Sequence, residues 1–121
     1  MNKKIGIVGT RRRNTYNDYL KVFEAFEKIF KEGDIIVSGG CRKGGDNFAE
    51  KIAHDNGLTI IIHYPNWRRY RARAGMVRNT LIARDSDFLI ACVAKDRKGG
   101  TEDTIKKFKD KKLLRRRLII V

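Results

Sequence analysis

Residues 35–57 read IIVSGGCRKGGDNFAEKIAHDNG: a short apolar run, a glycine-rich turn and a helix-like stretch in direct succession. The run from Asp34 to Ser38 predicts a strand, and the turn over residues 39–45 leads into a helix from about Asp46 to Asn56. That helix repeats its apolar residues at a period near 3.6, and Gly57 ends it. This unit of strand, glycine loop and helix is typical of an α/β fold with a parallel sheet.

The alternation of strand and helix continues on both sides of this unit. Further helices are expected from Asn14 to Lys31, with Gly33 as the C-terminal cap, from about Ala74 to Arg84, and from Thr101 to Lys109. The other strands are expected at Ile5–Val8, Leu58–Ile62, Phe88–Val93 and Leu118–Val121. The basic stretch around Pro65, from Tyr64 to Arg73, is expected to be irregular, and the stretch from Lys106 to Arg117 to be a solvated helix and turn.

The predicted strands are apolar on both faces, which is expected when helices cover both sides of a parallel sheet. Right-handed crossovers then favour a Rossmann-like, doubly wound α/β fold with helices on both faces. Its five strands would be mainly parallel and lie in the order 3-2-1-4-5. Because the chain has 121 residues and no linker or repeat, we expect a single domain over residues 1–121.

Charge is the unusual feature of the composition. The chain has 28 lysines and arginines against 14 acidic residues, a formal net charge of +14. It should attract polyanions, including nucleic acid at low salt, although a heavily charged solvated surface is the alternative explanation.

No apolar run approaches the roughly 20 residues of a membrane span, so no membrane association and a cytoplasmic location are expected. Cys41 and Cys92 form no metal-binding motif, and no metal site is expected.

Three loops that contain glycine follow predicted strands 1, 2 and 4. They are Gly9-Thr10-Arg11, the loop from Gly39 to Asp46, and Lys98-Gly99-Gly100-Thr101. Carboxyl ends of parallel strands share one edge of the sheet, so these loops should meet near the switch point between strands 1 and 4. Glycine lets the backbone approach an anion, and the free N–H groups at a helix start favour phosphate. The structural alternatives are a tight turn with Asp46 as N-cap and a turn capped by Thr101.

The run from Ile36 to Asp46, with Ala49 after it, resembles the S-G-G-x-x-x-G-x-D-x-x-A signature of the SLOG superfamily. Further matches, in order along the chain, are Gly9-Thr10-Arg11, Trp67, Ala74-Gly75, Arg78-Asn79 and Gly100-Thr101. Over nearly its whole length the chain is most similar to the small YspA-like (YpsA-related) branch. It is more distantly similar to the DprA/Smf DNA-processing proteins and the LOG-type phosphoribohydrolases.

This resemblance implies a Rossmann-like domain that binds a nucleotide or nucleotide-derived ligand, often as a sensor. No firmly bound cofactor is implied beyond that ligand, and a homodimer is expected because related folds often dimerise. Arg78 would contact a phosphate or ribose. The ligand-binding residues that the resemblance and the loops point to are Gly9, Thr10, Arg11, Gly39, Gly40, Gly44, Asp46, Arg78, Asn79, Gly100 and Thr101.

Several single residues have two interpretations. An arginine fork at Arg78 suits bidentate phosphate binding, but a solvated helix arginine is the alternative. Trp67, among arginines, could stack a base or could be a hydrophobic plug under its loop. Cys41 is either a thiol of lowered pKa or simply a small loop residue. His54 and His63 show no partner in the sequence.

The sequence supports two alternative hypotheses besides ligand binding. Cleavage of the N-glycosidic bond of a nucleoside monophosphate requires a carboxylate, and the catalytic candidates are Arg78, Glu102 and Asp103. The LOG-type relatives place a glutamate three residues after the glycine-loop threonine, where this chain has Thr104, so this activity ranks second. The third hypothesis is single-stranded nucleic-acid binding through Trp67 and Arg69, as in DprA/Smf-like proteins.

Overall fold

Five parallel strands form one sheet in a computed structural model that describes residues 2–110 and 117–121. The strands are β1 (Lys4–Gly9), β2 (Ile35–Ser38), β3 (Ile60–Ile62), β4 (Phe88–Cys92) and β5 (Arg117–Ile120). Their order is β3-β2-β1-β4-β5, and every neighbouring pair is parallel. The predicted Rossmann-like fold and strand order are confirmed.

The helices alternate with the strands along the chain. They are α1 (Tyr16–Ile29), α2 (Gly45–Asn56), α3 (Trp67–Tyr70), α4 (Ala74–Asp85) and α5 (Gly100–Lys109), and a 3₁₀ turn over Arg71–Arg73 joins α3 to α4. The capping box between Thr15 and Asp18 begins α1, which explains why this helix starts later than the predicted Asn14.

The core lies in two layers, one on each face of the sheet. On one face α1 and α2 pack through Val22, Phe26 and Ile52. On the other face α4 and α5 pack through Ile82 and Phe108. The residues of β4 alternate between the two layers, as the period of a strand requires. The strands are therefore apolar on both faces because helices cover both sides of the sheet, as expected from the sequence.

Gly33 is not the cap of α1, as the sequence suggested. The helix ends at Ile29, and Phe30 is the C-cap in an extended conformation. Gly33 lies in the following turn with φ +93°. The buried carboxylate of Asp34 shapes this turn by accepting hydrogen bonds from the backbone N–H groups of Lys3 and Lys31, each at 2.9 Å. Although burial opposes ionisation, these bonds and the Lys3 side chain hold the pKa of Asp34 below its usual value.

The stretch from Tyr64 to Arg73 is more regular than predicted. Asn66 caps the single turn of α3, its Oδ1 accepting from the Arg69 N–H at 3.1 Å. Arg71 then takes a positive φ of 55°, which turns the chain into α4. Of the predicted helix and turn from Lys106 to Arg117, α5 extends to Lys109, and residues 111–116 lie outside the described residues.

In the part of the chain that the structure describes, no helix combines the length and the apolar character needed to cross a membrane.

The start of α2 comes unusually close to β1. A Cβ added at Gly45 would lie 2.2 Å from the Val8 carbonyl carbon, and one added at Gly44 would lie 2.3 Å from the Thr10 carbonyl oxygen. Gly44 also has φ +76°, a conformation that side chains disfavour. Backbone contacts rather than side chains therefore set the distance between the loops after β1 and β2.

We predict that Gly45→Ala lowers the free energy of unfolding by about 2–3 kcal/mol, because the added methyl group overlaps backbone that cannot move aside. Gly75→Ala is the matched control, since its Cβ would meet the Trp67 ring only at 4.0 Å. That control should leave stability unchanged or slightly raised. Urea unfolding of both variants provides the measurement, and equal midpoints would contradict the close approach.

Candidate functional site

A cleft of about 590 Å³ opens at the carboxyl ends of β1, β2 and β4. This is the switch point of the sheet, where neighbouring crossovers diverge. Segments after three strands, together with α3, α4 and the start of α5, form its walls. The lining residues are Val8, Gly9, Thr10, Arg11, Arg12, Gly39, Gly40, Cys41, Pro65, Trp67, Arg78, Asn79, Ile82, Lys98, Gly99, Gly100, Thr101 and Thr104. The structure thus brings together all of the predicted ligand residues except Gly44 and Asp46.

Asp46 lies behind the loop after β2 and holds it in shape. Its Oδ2 accepts a hydrogen bond from the Cys41 N–H at 3.0 Å. The N-cap of α2 is Gly44, so the N-cap alternative for Asp46 is wrong. Gly44 donates its N–H to Asn14 Oδ1 at 2.8 Å, which ties the loop to the segment before α1. Both residues therefore act on the loop from behind rather than from inside the cleft.

The Asp46 side chain is strongly buried, the residue being 7% exposed. This burial raises the pKa of its carboxyl above the ordinary value, and the Cys41 N–H and the Arg78 charge oppose the rise. Arg78 Nη1 lies 3.8 Å from Asp46 Oδ2. Placing a guanidinium beside the carboxyl reduces the cost of keeping a charge at this depth.

Arg78 and Asn79 join the glycine loops on opposite sides of the cleft. Arg78 Nη1 donates to the Gly39 carbonyl at 2.6 Å, and its Nε donates to Asn79 Oδ1 at 2.9 Å. Asn79 Nδ2 in turn donates to the Gly100 carbonyl at 3.3 Å and to Asp103 at 3.1 Å. Arg78 is therefore not a solvated helix arginine. It faces the loop predicted to hold a phosphate, at a site that the loops enclose.

The start of α5 forms the wall opposite the β2 loop. Gly99 is the N-cap with φ +119°, and the helix begins at Gly100. The N–H groups in a first helical turn have no carbonyl a turn earlier to bind, so those of Gly100 and Thr101 are available to an anion. This is the arrangement expected from the sequence.

Three cationic side chains line the cleft beside Arg78. Arg12 is bound to Asp96 by two hydrogen bonds of 2.9 and 2.8 Å and to the Lys98 carbonyl at 2.8 Å. Arg11 and Lys98 differ, because neither side chain has an ion-pair or hydrogen-bond partner within residues 2–110 and 117–121. The cleft therefore holds positive charge that the described residues leave uncompensated. Lys98 belongs to the third glycine loop, but nothing in the sequence distinguishes its charge from those of the other lysines.

Trp67 stands on the rim of the cleft with Pro65. It is 58% exposed, so the alternative of a hydrophobic plug is wrong. An exposed indole at a cleft edge presents an aromatic face on which a base or another flat ring can stack.

The two carboxylates considered for catalysis are engaged away from the cleft. Glu102 forms two hydrogen bonds of 2.9 Å with Arg97. Asp103 accepts from Asn79 at 3.1 Å and from Lys107 at 2.9 Å. Neither is among the lining residues, whereas Thr104 is.

The histidines have partners that the sequence did not reveal. His63 Nε2 lies 2.7 Å from Asp85 Oδ2, which joins the end of β3 to α4. His54 lies 3.4 Å from Asp55 on an exposed helix face.

Cys41 and Cys92 are both free, and burial raises the pKa of the Cys92 thiol. Within the described ranges, no group of three or more His, Cys, Asp or Glu residues is placed to hold a metal ion.

No protein-family model and no curated protein matches the chain. A solved structure named as the molybdenum cofactor binding protein from the phototrophic bacterium Rippkaea orientalis has a similar fold, with a TM-score of 0.69 and 22% sequence identity. The similarity covers 100% of this chain and 78% of that one. At this level of identity it supports the fold of the whole chain.

We predict that a ligand bound in the cleft protects Trp67 from quenching by acrylamide. It is the single tryptophan, so its fluorescence reports this rim alone. The free protein should be quenched readily because the ring is exposed. Quenching that stays constant at a saturating ligand concentration would place the ligand away from Trp67.

Proposed function

We propose that the chain binds a nucleotide or nucleotide-derived ligand, with its phosphate on the glycine loops of the cleft. One observation carries the proposal: three glycine loops, the last of which begins α5, meet around one cleft with cations that have no partner among the described residues. Backbone N–H groups and cationic side chains together are the chemistry that phosphate prefers. The exposed Trp67 ring at the rim supplies a stacking surface for the base.

The resemblance to the SLOG superfamily supports the same ligand class. Its signature residues from Ser38 to Asp46 form the loop that Arg78 holds. The structure with a similar fold is named as a cofactor-binding protein, which fits ligand binding in general. A sensor role, a cytoplasmic location and a homodimer stay predictions.

Lys98 provides the test of the electrostatic part of this proposal. We expect Lys98→Gln to weaken binding of the tightest ligand among AMP, ADP-ribose, NAD and cyclic nucleotides by about fivefold, since it removes one charge-assisted contact. The control is Lys28→Gln, which removes the same charge from the exposed end of α1. Isothermal titration calorimetry gives the dissociation constants.

Two outcomes would contradict the proposal. An equal loss in Lys98→Gln and Lys28→Gln would mean that net charge, and not the cleft, controls binding. An absence of binding across the whole set of nucleotides would overturn the ligand class itself.

Hydrolysis of a nucleoside monophosphate receives no support from the side chains. Glu102 and Asp103 are engaged with Arg97, Asn79 and Lys107, outside the cleft lining. The position that faces the cleft is Thr104, whose hydroxyl does not titrate near neutral pH. We therefore propose binding rather than cleavage.

Single-stranded nucleic acid is a second candidate because of the surface beside the cleft. Trp67 is followed by Arg68 and Arg69 on α3, and the Arg69 guanidinium lies 5.3 Å from the centre of the Tyr70 ring. Exposed aromatic and cationic side chains in alternation can stack bases and contact phosphates without reading sequence.

If this surface binds a single strand, the dissociation constant for an oligothymidylate should rise steeply with salt. The double variant Arg68→Gln/Arg69→Gln should reduce the slope of log Kd against log salt by roughly 0.7 for each lost phosphate contact. Lys28→Gln/Lys51→Gln, on α1 and α2, is the control of equal charge. Fluorescence anisotropy at several salt concentrations measures the slopes, and identical slopes in both double variants would exclude this surface.

A further inference from the structure

Thr104 is a buried polar residue in the floor of the cleft. The buried residues of the lining are Val8, Gly39, Asn79, Ile82 and Thr104, and Thr104 is 1% exposed. It lies on α5 three residues after Thr101, so the two side chains share one face of the helix. Its hydroxyl has no hydrogen-bond partner among residues 2–110 and 117–121.

A buried threonine on a helix usually has a partner close by. Its hydroxyl can donate to the carbonyl four residues earlier, as Thr80 does to the Met76 carbonyl at 3.1 Å. The corresponding carbonyl for Thr104 is that of Gly100, which accepts instead from Asn79 Nδ2 at 3.3 Å. Buried polar groups are nearly always hydrogen-bonded in native proteins. The Thr104 hydroxyl has no described partner and lies at the cleft floor, which points to a hydrogen-bond partner inside the cleft.

The position of Thr104 along α5 indicates what that partner is. A phosphate bound by the first N–H groups of α5 lies at the helix start. The residue three positions later is deeper by about 4.5 Å at the α-helical rise. That separation exceeds the reach of the phosphate's own oxygens and matches a group joined to the phosphate through an ester.

We infer that the Thr104 hydroxyl is a ligand contact that hydrogen-bonds a sugar hydroxyl of a phosphate ester bound in this cleft. The inference rests on the proposed nucleotide function and adds where the sugar lies: against the floor made by Val8, Ile82 and Thr104. The phosphate then sits at the glycine loops, and the base extends towards Trp67 on the rim. Thr104 selects for a hydroxyl-bearing sugar, because a ligand without one leaves the threonine unpaired.

Thr104→Val and Thr104→Ser separate this role from a packing role. Valine keeps the shape and removes the hydroxyl, so AMP and ribose 5-phosphate should bind about tenfold more weakly. The melting temperature of the free protein should stay equal or rise, since an unpaired buried hydroxyl is removed. Serine keeps the hydroxyl and loses a methyl group, so affinity should be largely retained while the melting temperature falls. Thr80→Val is the control, because that hydroxyl is bonded within α4.

Binding of inorganic phosphate to the same variants shows whether the Thr104 hydroxyl contacts the sugar or the phosphate. If Thr104 meets the sugar, Thr104→Val should leave phosphate binding unchanged, and an equal weakening of phosphate and AMP would place the hydroxyl on the phosphate instead and overturn the inference. AMP and ribose 5-phosphate binding that is as tight to Thr104→Val as to the wild type would also overturn it, while the proposed function would stand. Failure of the wild-type protein to bind any of AMP, ribose 5-phosphate, ADP-ribose, NAD and the cyclic nucleotides would overturn both.

Discussion

The hydrogen bond from Arg78 Nη1 to the Gly39 carbonyl, at 2.6 Å, connects α4 to the loop after β2. The rest of the cleft depends on it, because the neighbouring Asn79 extends the connection to the Gly100 carbonyl at the start of α5. Two adjacent residues on one helix thus link loops that follow different strands. A backbone carbonyl fixed by a guanidinium turns its peptide in one direction, so the adjoining N–H groups keep their orientation before any ligand arrives. Such preorganisation reduces the entropy lost on binding.

The same contact governs the charge balance of the site. Asp46 is buried behind the loop, and burial raises the pKa of its carboxyl, while Arg78 and the Cys41 N–H favour ionisation. Part of the Arg78 charge is therefore used within the protein, and Arg11 and Lys98 supply the positive charge that faces the cleft without a described partner. Under the proposed function, the charge used for structure and the charge used for ligand binding come from different side chains. This division would let the cleft keep its shape and still attract an anion.

The sequence predicts the sheet and the meeting of the glycine loops, because strand period, helix period and right-handed crossovers leave few alternatives. It does not predict the hydrogen-bond partners of helix side chains, because these depend on the rotation of the helix about its axis. The sequence shows that Asn79 follows Arg78. Its hydrogen bond to the Gly100 carbonyl depends on how α4 packs against α5, which the sequence does not show. Trp67 was ambiguous because an aromatic residue among arginines has the same pattern whether it is buried or exposed. The cap expected at Gly33 failed because the buried carboxylate of Asp34, and not the glycine, organises that turn. The sequence places Thr104 after the third glycine loop, but it does not show that the hydroxyl is buried without a described hydrogen-bond partner.

Several features of the cleft oppose folding in the absence of a ligand. A carboxyl is held at low exposure, a hydroxyl is buried without a described partner, and Arg11 and Lys98 line the cleft without a described ion-pair partner. Each lowers the stability of the fold, and the two apolar layers on either side of the sheet must compensate for them. A phosphate ester would relieve two of the three, since its charge offsets the cations and its sugar satisfies the hydroxyl. A ligand that relieves such costs binds the folded chain in preference to the unfolded one, so occupancy of the cleft and stability of the fold are thermodynamically linked. Under the proposed function, the features that lower the stability of the fold are therefore the ones through which a phosphate ester would gain affinity.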